Sequence, residues 1–185
     1  MSKFAFLIGI NYNGTSAQLS GCINDANNMK NLLKSYYNYQ DDEFYFLSDD
    51  SIKPTRQNII DGFNKTLEKI NNGCNEIWIH YSGHGSHIRD TNGDEIDNQD
   101  EVLCPVDYSS AGMITDDWLH EHFLQKINND NLKMVMVFDC CHSGTQMDLQ
   151  YQMKYDQLQQ VSSKSINKGK IISFSGCRDD QYAAD

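Results

Sequence analysis

Apolar residues form two kinds of pattern, and the two kinds take turns along the sequence. The first pattern is a short, nearly continuous apolar run that ends in polar or glycine residues, as is typical of a strand in a buried sheet. The clearest example, Met134 to Phe138, predicts a strand that is buried on both faces. The five predicted strands are Lys3–Ile10, Glu43–Leu47, Glu76–Ser82, Lys133–Asp139 and Gly169–Ser175.

The second pattern places apolar residues three or four positions apart, which is typical of a helix with one buried face. It predicts a helix over Asp25–Tyr36, a helix from Pro54 and Thr55 to about Ile70, and a helix from Asp116 to about Ile127. The expected caps are Thr55 and Thr115, and Asn71-Asn72-Gly73 is expected to end the second helix. The side chains expected to face the core are Met29, Leu32, Leu33, Tyr36, Ile59, Ile60, Phe63, Leu67, Ile70, Leu119, Phe123 and Ile127.

Three polar segments separate these elements. Asn11–Gly21 is predicted to be a loop, residues 83–115 a long loop that carries most of the acids, and Gln146–Lys168, which is rich in glutamine, a mobile loop or a marginal helix. Because strands alternate with helices, we expect an α/β fold with three layers and a mostly parallel sheet. The sequence shows no internal repeat, and we expect one domain over residues 1–185.

Composition narrows the classes of partner and compartment. The net charge of −11 and the pI of about 4.8 make nucleic acid and anionic membranes unlikely partners, and favour cationic peptides or a divalent cation. No apolar run is long enough to span a bilayer, and Phe4–Ile10 lacks the basic start and cleavage site of a signal peptide. Two of the six cysteines are adjacent, so we expect reduced thiols and a cytoplasmic protein.

Two strand ends carry groups that could act on a substrate. The predicted strand at Lys133–Asp139 runs directly into Cys140 and Cys141, and Gly83-His84-Gly85 follows the strand at Glu76–Ser82. Ligands of open parallel sheets bind beyond the carboxyl ends of the strands, so neighbouring strands would bring a thiol and an imidazole together. That pair predicts nucleophilic catalysis by cysteine, with His84 as base. Because adjacent strand residues face opposite ways, only one cysteine can face His84, and periodicity does not say which.

Other interpretations of the same residues stay open at this point. A buried cysteine and a loop histidine could be merely structural, and His80, His84 and His87 have the spacing of zinc ligands on one helix face. The acidic stretch Asp90–Glu101 resembles an EF-hand loop, but Gly93 is at its fourth position and not its sixth. It therefore predicts either oxygen ligation of Ca²⁺ or a solvated acidic turn.

Several motifs together resemble a type I metacaspase over nearly the whole chain. They are G-I-N-Y (9–12), G-C-I-N-D-A (21–26), H-Y-S-G-H-G (80–85), D-E-I-D-N-Q-D-E-V-L-C-P-V-D (94–107), D-C-C-H-S-G-T (139–145) and S-G-C-R-D-D-Q-Y-A-A-D (175–185). The resemblance implies the caspase–haemoglobinase fold and a cysteine endopeptidase. It also implies that Cys141, directly before H-S-G, is the nucleophile and that His84 is the general base.

The resemblance further implies cleavage after Arg or Lys. Asp25 and Asp139 match the acids of the family's specificity pocket, and Cys22 and Ser82 match residues that line it. A pair of carboxylates suits a guanidinium group, which it can bind through two hydrogen bonds. Caspases that cleave after Asp need clustered arginines. This chain has only Arg56, Arg89 and Arg178, and none is beside the strand-end motifs where that pocket should form.

Activation by Ca²⁺ is also implied, since many metacaspases respond to this ion. The matching ligands are Asp100, Asp116, Asp117 and Asp148. A cation that joins their loops could order the substrate groove, as an activator and not as a catalytic cofactor.

The chain departs from the resemblance at its end, because related proteins continue beyond the position of Asp185. We expect a domain that is truncated there or naturally short, with an exposed edge at its fifth strand. We also expect a monomer, with pairing through that edge as the alternative. Self-cleavage is expected in or beside the segment Gln146–Lys168, where the candidate sites are Lys154, Lys164, Lys168 and Lys170.

Two hypotheses about function follow. The first is a cysteine endopeptidase, stimulated by Ca²⁺, that acts on peptides or proteins with Arg or Lys at the cleavage site through a Cys–His dyad and an acyl-enzyme. The second is a caspase-like scaffold, with weak or no catalysis, that binds or regulates a partner.

Overall fold

A five-stranded parallel sheet forms the centre of the computed structural model, which describes residues 2–89, 99–141, 147, 149–154, 157–160, 166 and 168–176. Its strands are β1 Lys3–Gly9, β2 Phe44–Ser48, β3 Glu76–Ser82, β7 Lys133–Asp139 and β10 Lys170–Ser175. They follow the order β10-β7-β3-β1-β2, and every neighbouring pair is parallel. The predicted strands are confirmed to within about a residue.

Helices cover both faces of this sheet, as the three-layer prediction requires. Helix α1 (Cys22–Tyr37) packs on β1 and β3, where Leu33 joins Ala5 and Leu7 in a small core. Helices α2 (Arg56–Asn71) and α4 (Asp116–His122) contribute Phe63 and Leu119 to the larger core on the opposite face. No helix of the described residues is long and apolar enough to cross a membrane.

The inward face of α1 differs from the prediction. The helix begins at Cys22 and not at Asp25, and it buries Cys22, Ala26 and Leu33, whereas Leu32 and Tyr36 are 40% and 83% exposed. The reason is the short distance between α1 and β1, because a Cβ at Gly9 would lie 2.9 Å from the Cβ of Ala26. This contact turns the side of α1 that carries Ala26 and Leu33 toward the sheet, and Leu32 and Tyr36 lie off that side.

The other two helices largely follow the prediction. Thr55 and Thr115 cap α2 and α4, since each hydroxyl accepts the N–H of the residue three positions on, at 3.2 and 3.1 Å. Helix α4 ends earlier than predicted, and a 3₁₀ turn at Leu124–Lys126 follows it. Its predicted inward residues Leu119, Phe123 and Ile127 are nevertheless buried.

Within the described part of the chain, strand β7 is fully buried on one face only. Met134, Met136 and Phe138 are fully buried against the larger core, but Val135 and Val137 on the other face are half-buried. The prediction of two buried faces is therefore wrong in part. Helix α1 packs mainly on β1 and β3, so it contributes little to the burial of Val135 and Val137 on β7.

The two longest predicted loops contain further elements. The segment 83–115 forms β4 (Gly85–Arg89), β5 (Gln99–Leu103), α3 (Tyr108–Ala111) and β6 (Ile114–Thr115), and the three strands make an antiparallel sheet. A hairpin of β8 (Tyr151–Lys154) and β9 (Gln157–Gln160) lies within Gln146–Lys168. Every side chain of β9 is exposed, so this strand lacks the burial pattern by which a sequence reveals a strand.

Candidate active site

A cleft of about 330 Å³ lies at the carboxyl ends of β1, β3 and β7. These strands are adjacent and parallel, so the segments that follow them meet at one edge of the sheet, where α/β sheets bind ligands. The predicted juxtaposition of the two strand ends is confirmed. The residues that line the cleft are Leu19, Gly21, Cys22, Asp25, Ser82, Gly83, His84, Asp139, Cys140 and Cys141.

The main chain of His84 is fixed by two buried tyrosines. Its N–H donates to Oη of Tyr12 at 2.9 Å, and its carbonyl oxygen accepts from Oη of Tyr81 at 2.8 Å. The Tyr12 ring also packs against the imidazole, with 4.7 Å between the ring centroids. Burial raises the pKa of both phenols, so they stay neutral and act as hydrogen-bond partners. The position of His84 is thus set by Tyr81 on β3 and by Tyr12, which lies outside that strand.

The imidazole of His84 has a defined hydrogen-bond partner. Its Nε2 lies 2.8 Å from the carbonyl oxygen of Ala17. A carbonyl oxygen can only accept, so we assign the proton of the neutral ring to Nε2. The other ring nitrogen, Nδ1, is then the acceptor that a general base needs.

The two cysteines at the end of β7 differ in exposure. Cys140 is 1% exposed, and Cys141 is half-buried at the cleft. Gly85 provides the contact with the histidine segment, because a Cβ at Gly85 would overlap the carbonyl oxygen of Cys141 and lie 3.1 Å from Sγ of Cys140. Both cysteines line the cleft, and Cys141 is the more accessible thiol. Its role as nucleophile stays a prediction.

A third thiol, Cys104, lies near this pair and was not singled out from the sequence. Burial, and to a lesser degree the neighbouring Cys141, raises the pKa of Cys104 to about 11. It is therefore a neutral thiol at ordinary pH and a poor competitor for a nucleophilic role.

All four residues predicted to recognise a basic side chain line the same cleft. Ser82 Oγ donates to Oδ2 of Asp25 at 3.2 Å, and Cys22 is buried beside them. Partial burial, and secondarily the carboxylate of Asp25, raises the pKa of Asp139. A cation placed beside Asp139 would favour the charged form of that carboxyl group.

The predicted Ca²⁺ ligands are placed only in part. Asp100 on β5 and Asp116 at the start of α4 are 3% and 1% exposed, and Asp116 accepts the N–H groups of Glu101 and Asp117 at 3.1 and 2.8 Å. Their carboxylates are the oxygen donors that Ca²⁺ prefers. No three metal-ligating side chains of the described residues lie together, and Asp148 and the stretch 90–98 are outside those residues.

The zinc interpretation of three histidines is wrong. His80 lies on β3, His84 in the turn after it and His87 on β4. The spacing would bring them together on a helix, but this segment is a strand, a turn and a second strand. His80 is buried and His87 exposed, and they form no metal-ligating group.

Two parts of the site could not be found from the sequence. Ala17 contributes only a main-chain carbonyl group, and every residue type has one, so the sequence does not indicate this role. Tyr12 belongs to the motif at 9–12, but its contact with His84 depends on a positive φ of 51°, which the sequence does not indicate.

Comparisons with known proteins agree with this architecture. A sequence model of the family described as "Metacaspase, peptidase C14 domain" matches residues 3–150. Metacaspase-1 of Botryotinia fuckeliana is 42% identical over 151 residues, which cover 80% of this chain and 36% of that protein. Metacaspase-1 of Arabidopsis thaliana is 35% identical over 196 residues, which cover 99% of this chain and 53% of that protein.

A solved structure resembles the fold as well. A protein from Geobacter sulfurreducens superimposes with a TM-score of 0.68 at 26% identity, over 98% of this chain and 75% of that one. The chain spans about a third to a half of the length of the two relatives above.

Proposed function

This chain belongs to the metacaspase family, peptidase C14, and from that premise we propose that it is a cysteine endopeptidase that cleaves after Arg or Lys. The observation that carries the proposal is the single cleft that His84, Cys141 and the carboxyl groups of Asp25 and Asp139 share. A nucleophile, a base and a charged recognition site are the minimum that such an enzyme requires.

In the proposed reaction, the substrate carbonyl is attacked by Cys141 as its thiol proton passes to Nδ1 of His84. The new carbon–sulfur bond gives an acyl-enzyme when the leaving amine departs with that proton. Water then attacks the acyl carbon as His84 takes one of its protons. The carbon–sulfur bond breaks, the carboxylic acid product leaves, and His84 returns the proton to the sulfur of Cys141. The Ala17 carbonyl supports this role, because it holds the Nε2 proton and stabilises the imidazolium that forms.

The proposed specificity depends on the charge of the cleft. A guanidinium or ammonium group between Asp25 and Asp139 would pair with both carboxylates. The raised pKa of Asp139 supports this, since a bound cation would favour its charged form. An acidic side chain would instead meet two like charges, so substrates with Asp at this position should be rejected.

We also propose that Ca²⁺ stimulates the enzyme. Asp100, Asp116, Asp117 and Asp148 would hold the ion, which neutralises acids that are otherwise costly to bury. The burial of Asp100 and Asp116 supports this assignment.

The proposal is tested by turnover of fluorogenic peptides that end in Arg, Lys or Asp, with and without Ca²⁺. We expect turnover of the first two only, its increase by Ca²⁺, and its loss in Cys141→Ala. Cys140→Ala is the matched control and should retain turnover. Equal signals from the wild type and Cys141→Ala would leave the scaffold hypothesis.

Asp25→Asn should raise KM for the Arg peptide by about tenfold, because it removes one charge-assisted partner.

A further inference from the structure

The segment 11–19, which we name the histidine loop, carries both groups that contact the imidazole of His84. Ala17 provides the carbonyl for Nε2, and Tyr12 provides the ring that packs against it. The loop is closed at its ends by a hydrogen bond from Leu19 N to Asn11 O at 2.8 Å. It has the form of a compact loop whose ends are close together.

Hydrogen bonds inside the histidine loop join Tyr12 to Ala17. The N–H and hydroxyl of Thr15 both donate to the carbonyl oxygen of Tyr12, at 3.1 and 2.8 Å. The same hydroxyl accepts the N–H of Ala17 at 3.2 Å. A displacement of Tyr12 would therefore be passed on to the Ala17 carbonyl.

One carboxylate outside the loop fixes its start. Asp49 follows β2, whose last residue pairs with Gly9 of the neighbouring β1. Its Oδ2 accepts the N–H of Asn11 at 2.8 Å, and its Oδ1 accepts the N–H of Asn13 at 3.1 Å. Hydrogen bonds to a carboxylate are stronger than those between neutral groups. These two hydrogen bonds hold the residues on either side of Tyr12.

Tyr12 needs such a constraint, because its φ of 51° is disfavoured for a residue with a side chain. Without the two bonds to Asp49, the main chain at residues 11–13 could relax to an ordinary conformation. That relaxation would move the Tyr12 hydroxyl and ring away from His84. It would also move the carbonyl that holds Nε2.

We propose that Asp49 is a positioning residue for His84: its carboxylate holds the histidine loop so that the Ala17 carbonyl selects the Nε2–H tautomer and Nδ1 is left to act as base. Asp49 itself is not among the residues that line the cleft. The inference rests on the proposed role of His84, and it adds a residue that acts on the base through the loop.

The test compares Asp49→Ala and Asp49→Asn with Asp50→Ala, a matched control at the next, exposed position. The first readout is the tautomer of the neutral His84 ring, taken from ¹H–¹⁵N correlation spectra of the histidine side chains and assigned with His84→Gln. We expect Nε2–H alone in the wild type and in Asp50→Ala. We expect a mixture of tautomers in Asp49→Ala and a smaller change in Asp49→Asn, which keeps one carbonyl acceptor.

The second readout is the kinetics on an Arg peptide. Asp49→Ala should lower kcat by about 10- to 100-fold, since small displacements of a catalytic group have effects of that size. KM should change by less than about threefold, because Asp25 and Asp139 lie on other elements. A general loss of fold would lower the fraction of active protein without changing the tautomer of the folded remainder.

An unchanged tautomer and an unchanged kcat in a folded Asp49→Ala would overturn the proposal. If Asp49→Ala does not fold, Asp49→Asn decides by the same criteria. If even the wild type shows no turnover, the proposed function fails, but the tautomer of His84 still tests the role of Asp49.

Discussion

His80 is an unusual residue in the body of the sheet. It is 4% exposed, and neither ring nitrogen has a hydrogen-bond partner within the described residues. Burial lowers its pKa to about 4, so the ring is neutral in the folded protein over the ordinary pH range. It lies two positions before Ser82 on the same face of β3, beneath the acidic part of the cleft. Protonation of His80 at low pH should therefore destabilise this part of the sheet.

His80 should make the fold sensitive to acid. The unfolded chain binds the proton with a pKa near 6.5 and the folded chain with one near 4, so stability is lost as pH falls through that window. At pH 4.5 the loss should be about 2–3 kcal/mol. His80→Leu, of similar volume, should remove that loss when urea unfolding is compared at pH 7.5 and 4.5. Equal losses in both proteins would show that other groups cause them.

Elements that bury apolar side chains could be predicted from the sequence, and elements that bury few could not. Parallel strands such as β1 and β3 are buried by helices, so their apolar runs indicate them in the sequence. The hairpin β8–β9 buries almost nothing, and only main-chain pairing reveals it. The inward face of α1 was predicted in part, since Met29 and Leu33 pack on the small core but Leu32 and Tyr36 are exposed. The same holds for the candidate site. The sequence predicted the residues at the strand ends, but it did not predict the role of the Ala17 carbonyl.

The capped helices give a prediction at the scale of an element. Thr55→Ala removes the hydroxyl that accepts the N–H of Asn58, and should lower the free energy of unfolding by about 1 kcal/mol. No residue of α2 lines the cleft, so kcat and KM should not change. Lys53→Ala, at an exposed position two residues earlier, is the control. Chemical denaturation and peptide turnover measure both effects, and a changed kcat would connect α2 to the site.

At the scale of the whole molecule, the function depends on strand order. His84 and Cys141 are 57 residues apart in the sequence, and they line one cleft because β3 and β7 are adjacent and parallel. The two strands pair over seven residues, from Glu76 and Lys133 to Ser82 and Asp139. Asp25 reaches the same edge from α1, which follows β1. A parallel sheet thus collects at one edge the groups that the chain carries on separate segments. The net charge of −11 favours cationic over anionic ligands of the molecule as a whole.

The most direct test of the central claim is covalent labelling by a peptidyl-arginine chloromethyl ketone, followed by mass spectrometry of the intact protein and its peptides. We predict a single adduct on Sγ of Cys141, formed as the thiolate displaces chloride. Labelling should be absent in Cys141→Ala and about tenfold or more slower in His84→Ala, because the base that activates the thiol is lost. An adduct on Cys140 or Cys22, or an equal rate in His84→Ala, would contradict the account.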